Sequence, residues 1–175
     1  ARPDARELQP DFYVPVSGEC SRTGNPLLQR TSIRNADARI EAYPGPGELV
    51  AVSGFYKEFA KPIVETVVQT SADECQVRFQ NAEMADNFGL ELELRKNLGF
   101  FGGFMGDVSL GANFTYVESN VEIDPALGDF PPGLNLQAQS PYLFNSSLIY
   151  DRSESSFRGA VFVNYFSNRI AMYGL

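Results

Sequence analysis

The sequence predicts an all-β chain, an antiparallel up-and-down meander of about six or seven strands, and three observations predict it. Apolar residues recur at every second position wherever a pattern is legible, which is the strand period and not the helical one. Most of the 15 Gly and 11 Pro fall between the alternating runs, where they punctuate the chain into turns and loops. No apolar run approaches the roughly 18 residues that a membrane-spanning helix needs.

The strands follow in order. Ala36, Ala38, Ile40 and Ala42 oppose Asp37, Arg39, Glu41 and Tyr43. The run from Leu49 to about Thr70 is rich in Val, Phe and Tyr, but both of its faces are partly apolar and its facing is ambiguous. From Gln76 to Asn97 a second long strand carries the clearest alternation, with Phe88, Leu90, Leu92 and Leu94 set against Gly89, Glu91, Glu93 and Arg95. Val108, Leu110, Ala112, Phe114 and Tyr116 alternate with Ser109, Gly111, Asn113 and Thr115. Tyr142, Phe144, Ser146, Leu148 and Tyr150 mark another strand, and Phe157, Gly159, Val161, Val163 and Tyr165 a last one.

The connections alternate in length. Pro44-Gly45-Pro46-Gly47 and Asp151 to Ser156 are short, and Leu98 to Gly106 is compact and rich in Gly and Phe. Pro15 to Gln29 and Val121 to Pro141 are long, polar and Pro-bearing. One end of the sheet therefore carries tight turns and the other carries loops. At about 3.3 Å per residue the two long strands reach roughly 60 to 70 Å untilted, well past a ~30 Å bilayer core, so they are expected to project on the loop side. Val108 to Tyr116, tilted by about 40°, rises roughly 20 Å, close to the ~25 Å apolar band of an outer-membrane barrel. Tyr43, Phe100, Phe101, Phe104, Tyr150 and Phe157 fall where an aromatic girdle is expected at the tight-turn end. Alternation alone does not separate a lipid-facing barrel from a soluble antiparallel sandwich.

Composition narrows the chemistry. With 14 Lys and Arg against 22 Asp and Glu the net charge is -8, the wrong sign for nucleic-acid binding. The chain has no His, which removes Ser-His-Asp and Cys-His nucleophile activation and zinc sites of the HExxH type. No catalytic, cofactor or metal residue is assigned. Glu122, Asp124 and Asp129 lack hard-cation spacing, and Gly99, Gly102, Gly103 and Gly106 are not followed by the GK[ST] of a phosphate loop. Cys20 and Cys75 offer either one disulfide or two free thiols. Topology places both on the loop side and makes them a candidate pair, provided their Cα atoms come within about 7 Å.

The order of motifs resembles the barrel of a TonB-dependent outer-membrane receptor. The matching stretches are Arg2-Pro3-Asp4 with Arg6-Glu7-Leu8, Gly24-Asn25-Pro26-Leu27-Leu28, Asn35-Ala36-Asp37-Ala38-Arg39-Ile40-Glu41 and Pro46-Gly47-Glu48-Leu49. They continue with Phe55-Tyr56-Lys57-Glu58-Phe59, Lys61-Pro62-Ile63 and Asn87-Phe88-Gly89-Leu90-Glu91-Leu92-Glu93-Leu94. What the resemblance implies is part of a large transmembrane β-barrel in the bacterial outer membrane, with residues 1–175 an internal piece of the barrel domain and no plug. It further implies a non-enzymatic receptor that binds and imports a scarce nutrient such as an iron-siderophore chelate. Its expected partners are outer-membrane lipid, the remaining strands and plug of the parent chain, the TonB complex and a nutrient that the sequence does not identify. A structural or adhesive β surface module is the alternative reading. On the barrel reading Asp37, Arg39, Glu41, Glu91, Glu93 and Arg95 are candidate lumen-facing residues. Ile40, Leu90, Leu92, Leu94, Leu110 and Phe114, with Ala38 and Ala112 beside them, are candidate lipid-facing residues.

Overall fold

The computed structural model describes residues 2–14, 20–71, 74–125, 130–152 and 157–174. In chain order it contains a one-turn helix α1 (Ala5–Leu8) and strands β1 (Phe12–Tyr13), β2 (Ser21–Thr23), β3 (Ser32–Ala42), β4 (Leu49–Ala60), β5 (Ile63–Gln69), β6 (Cys75–Asn81) and β7 (Met84–Asn97). Two 3₁₀ turns (Gly99–Phe101 and Gly103–Asp107) precede β8 (Val108–Glu122), β9 (Tyr142–Asp151), β10 (Arg158–Phe166) and β11 (Tyr173–Gly174). No helix among the described residues is long and apolar enough to cross a membrane.

The described strands form two sheets. The larger has six strands in the order β10-β9-β8-β7-β4-β3, every neighbouring pair antiparallel. Its register runs without a slip from Met84↔Glu122 to Asn97↔Ser109 between β7 and β8. A fixed register matters because a shift by one residue would exchange the faces of every side chain. The sheet does not close on itself: β3 and β10 are its two outer strands. The smaller sheet, β1-β2-β6-β5-β11, stands at the loop end and includes two parallel pairings, β2 with β6 and β11 with β5.

The two long strands expected from the sequence are each divided, β4 from β5 and β6 from β7. Pro62 brings no N–H to the ladder, and Lys61 adopts a positive φ of 56°. Pairing nevertheless continues across the break. Lys61 N–H donates to the Glu83 carbonyl at 3.2 Å and Ala82 N–H to the Pro62 carbonyl at 2.8 Å, between the pairs Ala60↔Met84 and Ile63↔Asn81. What changes is the facing. Leu49 and Ala51 are buried at odd positions of β4, Val64 and Thr66 at even positions of β5. Within β4 itself both parities carry apolar residues, Leu49, Ala51, Phe55 and Phe59 against Val50, Val52 and Tyr56, which is why the run from Leu49 to Thr70 reads as apolar on both faces.

The segment expected to be a long loop, Pro15 to Gln29, also holds structure: β2 lies within it. A three-residue strand has no periodicity to read, and it exists through its parallel ladder with β6, Ser21↔Gln76 to Thr23↔Arg78. Beside that ladder Cys20 and Cys75 are joined by a disulfide with Cα atoms 4.7 Å apart.

The core sits at the loop end. Val64, Ala82, Ala85, Val121 and Tyr173 are buried together, with Phe59, Ile123, Phe130, Leu134, Leu136 and Ile170 packed around them. The segment after β8 is tied down by a Val121↔Leu134 bridge. Gln137 uses its amide as a strand would, accepting from Glu65 N–H at 2.8 Å and donating to the Glu65 carbonyl. Tyr173 donates its hydroxyl to the Asn135 carbonyl at 2.7 Å, and burial pushes its phenol up to about 12.

Candidate functional site

Cross-strand registers build two faces on the six-stranded sheet. One row reads Ile40, Val52, Leu92, Phe114, Phe144 and Tyr165 across all six strands. Every one of these side chains is exposed, from 37% at Phe114 to 79% at Ile40. The rows beside it add Leu90 with Tyr116, Leu94 with Ala112, and Leu110 with Leu148 and Val161. Six strands at about 4.8 Å spacing make this face roughly 25 Å wide, far larger than the apolar patches that soluble monomers tolerate. These side chains do not converge on a second sheet, so the soluble sandwich does not describe the chain.

The opposite face is polar. Its corresponding row reads Glu41, Ala51, Glu93, Asn113, Asn145 and Asn164. Glu93 stands between two guanidinium groups, accepting from Arg39 at 2.7 Å and from Arg95 at 2.8 Å. Arg39 also donates to Ser53 Oγ at 3.1 Å and pairs with Glu41. Glu91 lies one row on, opposite Ser53 and Thr115. An open cavity of about 280 Å³ lies on this wall, lined among others by Glu93, Arg95, Asn113, Asn145, Ser147 and Asn164. The arrangement offers paired charges and amides to a hydrated solute.

All six candidate lumen-facing residues, Asp37, Arg39, Glu41, Glu91, Glu93 and Arg95, share the polar face. Ile40, Leu90, Leu92, Leu94, Leu110 and Phe114 share the other. The registers show which residues share a face of the sheet. Tyr43 departs from the girdle expected for it: it follows the parity of Arg39 and Glu41, and its hydroxyl donates to Glu41, so it belongs to the polar face. Phe100, Phe101, Phe104 and Phe157 are exposed, and Tyr150 lies 6.2 Å from the Phe157 ring. Asp129 falls outside the described residues, and among those described no three metal-ligating side chains gather. Asn145, Ser147 and Asn164, which complete the polar rows, were not singled out from sequence. The alternation of β9 and β10 places them, but uncharged amides and hydroxyls carry no chemistry of their own to draw notice. Phe162 and Phe166 depart from the pattern, standing on the polar face of β10.

A family model described as TonB dependent receptor-like, beta-barrel matches residues 1–173. No curated protein matches the chain. Among solved structures, the siderophore receptor PirA from Pseudomonas aeruginosa is similar with 21% identity and a TM-score of 0.59, over 94% of this chain and 29% of that one. A mutant of the ferric enterobactin receptor PfeA from the same organism is similar with 17% identity and a TM-score of 0.53, over 94% of this chain and 24% of that one. Identities this low establish a shared fold. The chain spans less than a third of the length of either structure.

Proposed function

We propose that this chain, which belongs to the TonB dependent receptor-like β-barrel family, forms one wall of an outer-membrane importer for a scarce nutrient such as an iron-siderophore chelate. All 175 residues are part of the barrel domain in this reading, and the parent protein supplies the remaining strands, the plug and the contact with TonB. The observation that carries the proposal is the division of one sheet into an unbroken apolar row, Ile40 to Tyr165, and a mainly polar side built around Arg39, Glu93 and Asn113. Lipid wets the first, since the apolar band of a barrel must meet hydrocarbon, and water wets the second.

Residues on the polar wall hold and pass a solute without making or breaking bonds. Four carboxylates and two guanidinium groups keep the wall hydrophilic, and amides offer exchangeable hydrogen bonds along it. The names of the two solved relatives, a siderophore receptor and a ferric enterobactin receptor, favour an iron chelate among possible nutrients. Uptake of radioactive iron presented as individual ferric siderophores tests this in a strain lacking the parent gene. Uptake of one chelate is expected to be lost, restored by the parent gene and abolished again when TonB is removed. Unchanged uptake of every chelate would count against iron, and unchanged uptake of vitamins and glycans as well would count against import.

A further inference from the structure

The polar face of the six-stranded sheet changes character from one side to the other. On β3, β4 and β7 it is charged, from Asp37 on β3 and Lys57 on β4 to Arg95 on β7. From Ser109 to Val121 on β8, Leu143 to Ile149 on β9 and Ala160 to Phe166 on β10, every position of the same face is uncharged. The boundary falls between β7 and β8, and the rows cross it. Arg95 continues into Gly111, Ser147 and Phe162, and Glu91 into Thr115, Leu143 and Phe166.

The two halves also differ in where their polar groups find partners. On the charged half Glu93 is held by Arg39 and Arg95, and Glu41 by Arg39, so these groups satisfy one another. On the uncharged half Asn145 and Asn164 are exposed, and among the described residues their side chains have no hydrogen-bond partner. Beside them Phe162 and Phe166 are 65% and 63% exposed, on the face turned away from the apolar rows. Between Arg95 and Phe162 the wall sinks into the open cavity of about 280 Å³. Gly111 keeps the floor of this cavity low, since an added Cβ would stand 2.7 Å from Ser147 Oγ.

Exposed phenyl rings, a concavity, open amides and the lack of charge are the make-up of a protein–protein contact, whose core loses charged residues and gathers aromatic ones. A surface that stays wet can keep its charges, because no burial penalty falls on them. This chain spans less than a third of either solved relative, so a chain of that length has ample remainder to cover the uncharged half. We propose, on the importer reading, that the parent's plug is seated against the β8–β10 half, with an apolar side chain in the cavity beside Phe162. The β3–β4–β7 half then stays wet and borders the path of the solute. The importer reading gives the wall both a plug and a solute; the division of the polar face says which half meets which.

Arg95 and Phe162 share a row and therefore a depth, as do Glu91 and Phe166, and the two pairs compare the halves on the whole parent receptor in vesicles. Each of the four residues is replaced in turn by the photoreactive amino acid p-benzoylphenylalanine, and the peptides joined to it on illumination are identified by mass spectrometry. Plug peptides are expected at 162 and 166 and are expected to be missing at 95 and 91. In a second arm, with the Cys20–Cys75 disulfide left oxidised, water-soluble maleimide is expected to react with Arg95→Cys and to be excluded from Phe162→Cys. Plug crosslinks at 95 and 91 that equal or exceed those at 162 and 166 would overturn the seat, as would free reaction at 162 or a lack of plug crosslinks at all four positions. Iron-chelate uptake by the unmodified receptor separates the two readings. A receptor that imports a chelate while its crosslinks fall on the charged half loses only the seat, whereas one that imports no nutrient loses the importer reading and the seat with it. If one member of a pair fails to assemble, the other pair decides.

Discussion

At Gly89 the backbone of β7 runs under the ring of Phe55, where an added Cβ would stand 2.1 Å from Phe55 Cζ. Gly89→Ala must push that ring off its present rotamer, and overpacking of this kind costs about 1–3 kcal/mol. Urea unfolding of the receptor in vesicles should show the loss. Three residues on, the sequence offers a sharper contrast. Leu92 points to the apolar face and Glu93 to the polar one, so Leu92→Arg is expected to cost about 2–4 kcal/mol if Leu92 lies near the bilayer midplane. Glu93→Gln removes two exposed ion pairs and is expected to leave the unfolding midpoint nearly unchanged. Comparable losses in the two variants would contradict the division of faces. Tyr173, at the loop end, gives a pH effect. Its folded pKa stands at about 12 against an ordinary value of 10.0, so above pH 10 the unfolded chain releases a proton that the folded chain keeps. Its contribution is fully present below pH 10 and is lost as pH rises through 12. Spectrophotometric titration of the receptor and of Tyr173→Phe should differ by one late-ionising phenol.

Among the elements, the hairpin of β5 and β6 depends on tertiary support more than on its own sequence. The disulfide encloses a 55-residue separation, and the chain-entropy model assigns such a closure about 4 kcal/mol, less any strain. Replacing both Cys20 and Cys75 by Ser should therefore expose β1 and β2 to external protease while the six-stranded sheet stays resistant. Equal protection with and without the disulfide would show that the ladder of β2 on β6 suffices. The same elements show what was legible in the sequence. β3, β7 and β8 announce themselves because apolar and polar residues alternate strictly over a stretch of each, Ala36 to Ala42, Phe88 to Arg95 and Val108 to Tyr116. The polar site followed from that alternation, residue by residue, through Asp37, Arg39, Glu41, Glu91, Glu93 and Arg95. β2 and β11 could not be read, because two or three residues show no period and their parallel partners lie far along the chain. The phase shift at Lys61 was hidden for a different reason: Pro62 signals a break, but not that pairing continues through it with the faces exchanged. Tyr43 was misplaced because an aromatic at a strand end suggests an interface, while its parity with Glu41 decides its side.

For the whole molecule, the six-stranded sheet is a wall and not a container. Its outer strands β3 and β10 have no further partner in the described sheet, and exposed edges of this length need neighbours. The core at the loop end is buried by the chain itself, whereas the apolar face of the sheet is exposed and is the surface that the proposed function assigns to lipid. Water-soluble maleimide applied to the parent receptor in vesicles, with single cysteines placed in turn at 90 to 95 and the Cys20–Cys75 disulfide left oxidised, tests that division most directly. The account predicts reaction at 91, 93 and 95 that exceeds reaction at 90, 92 and 94, a period of two in register with the charges of β7. Uniform labelling along the strand, or labelling in the opposite phase, would contradict it.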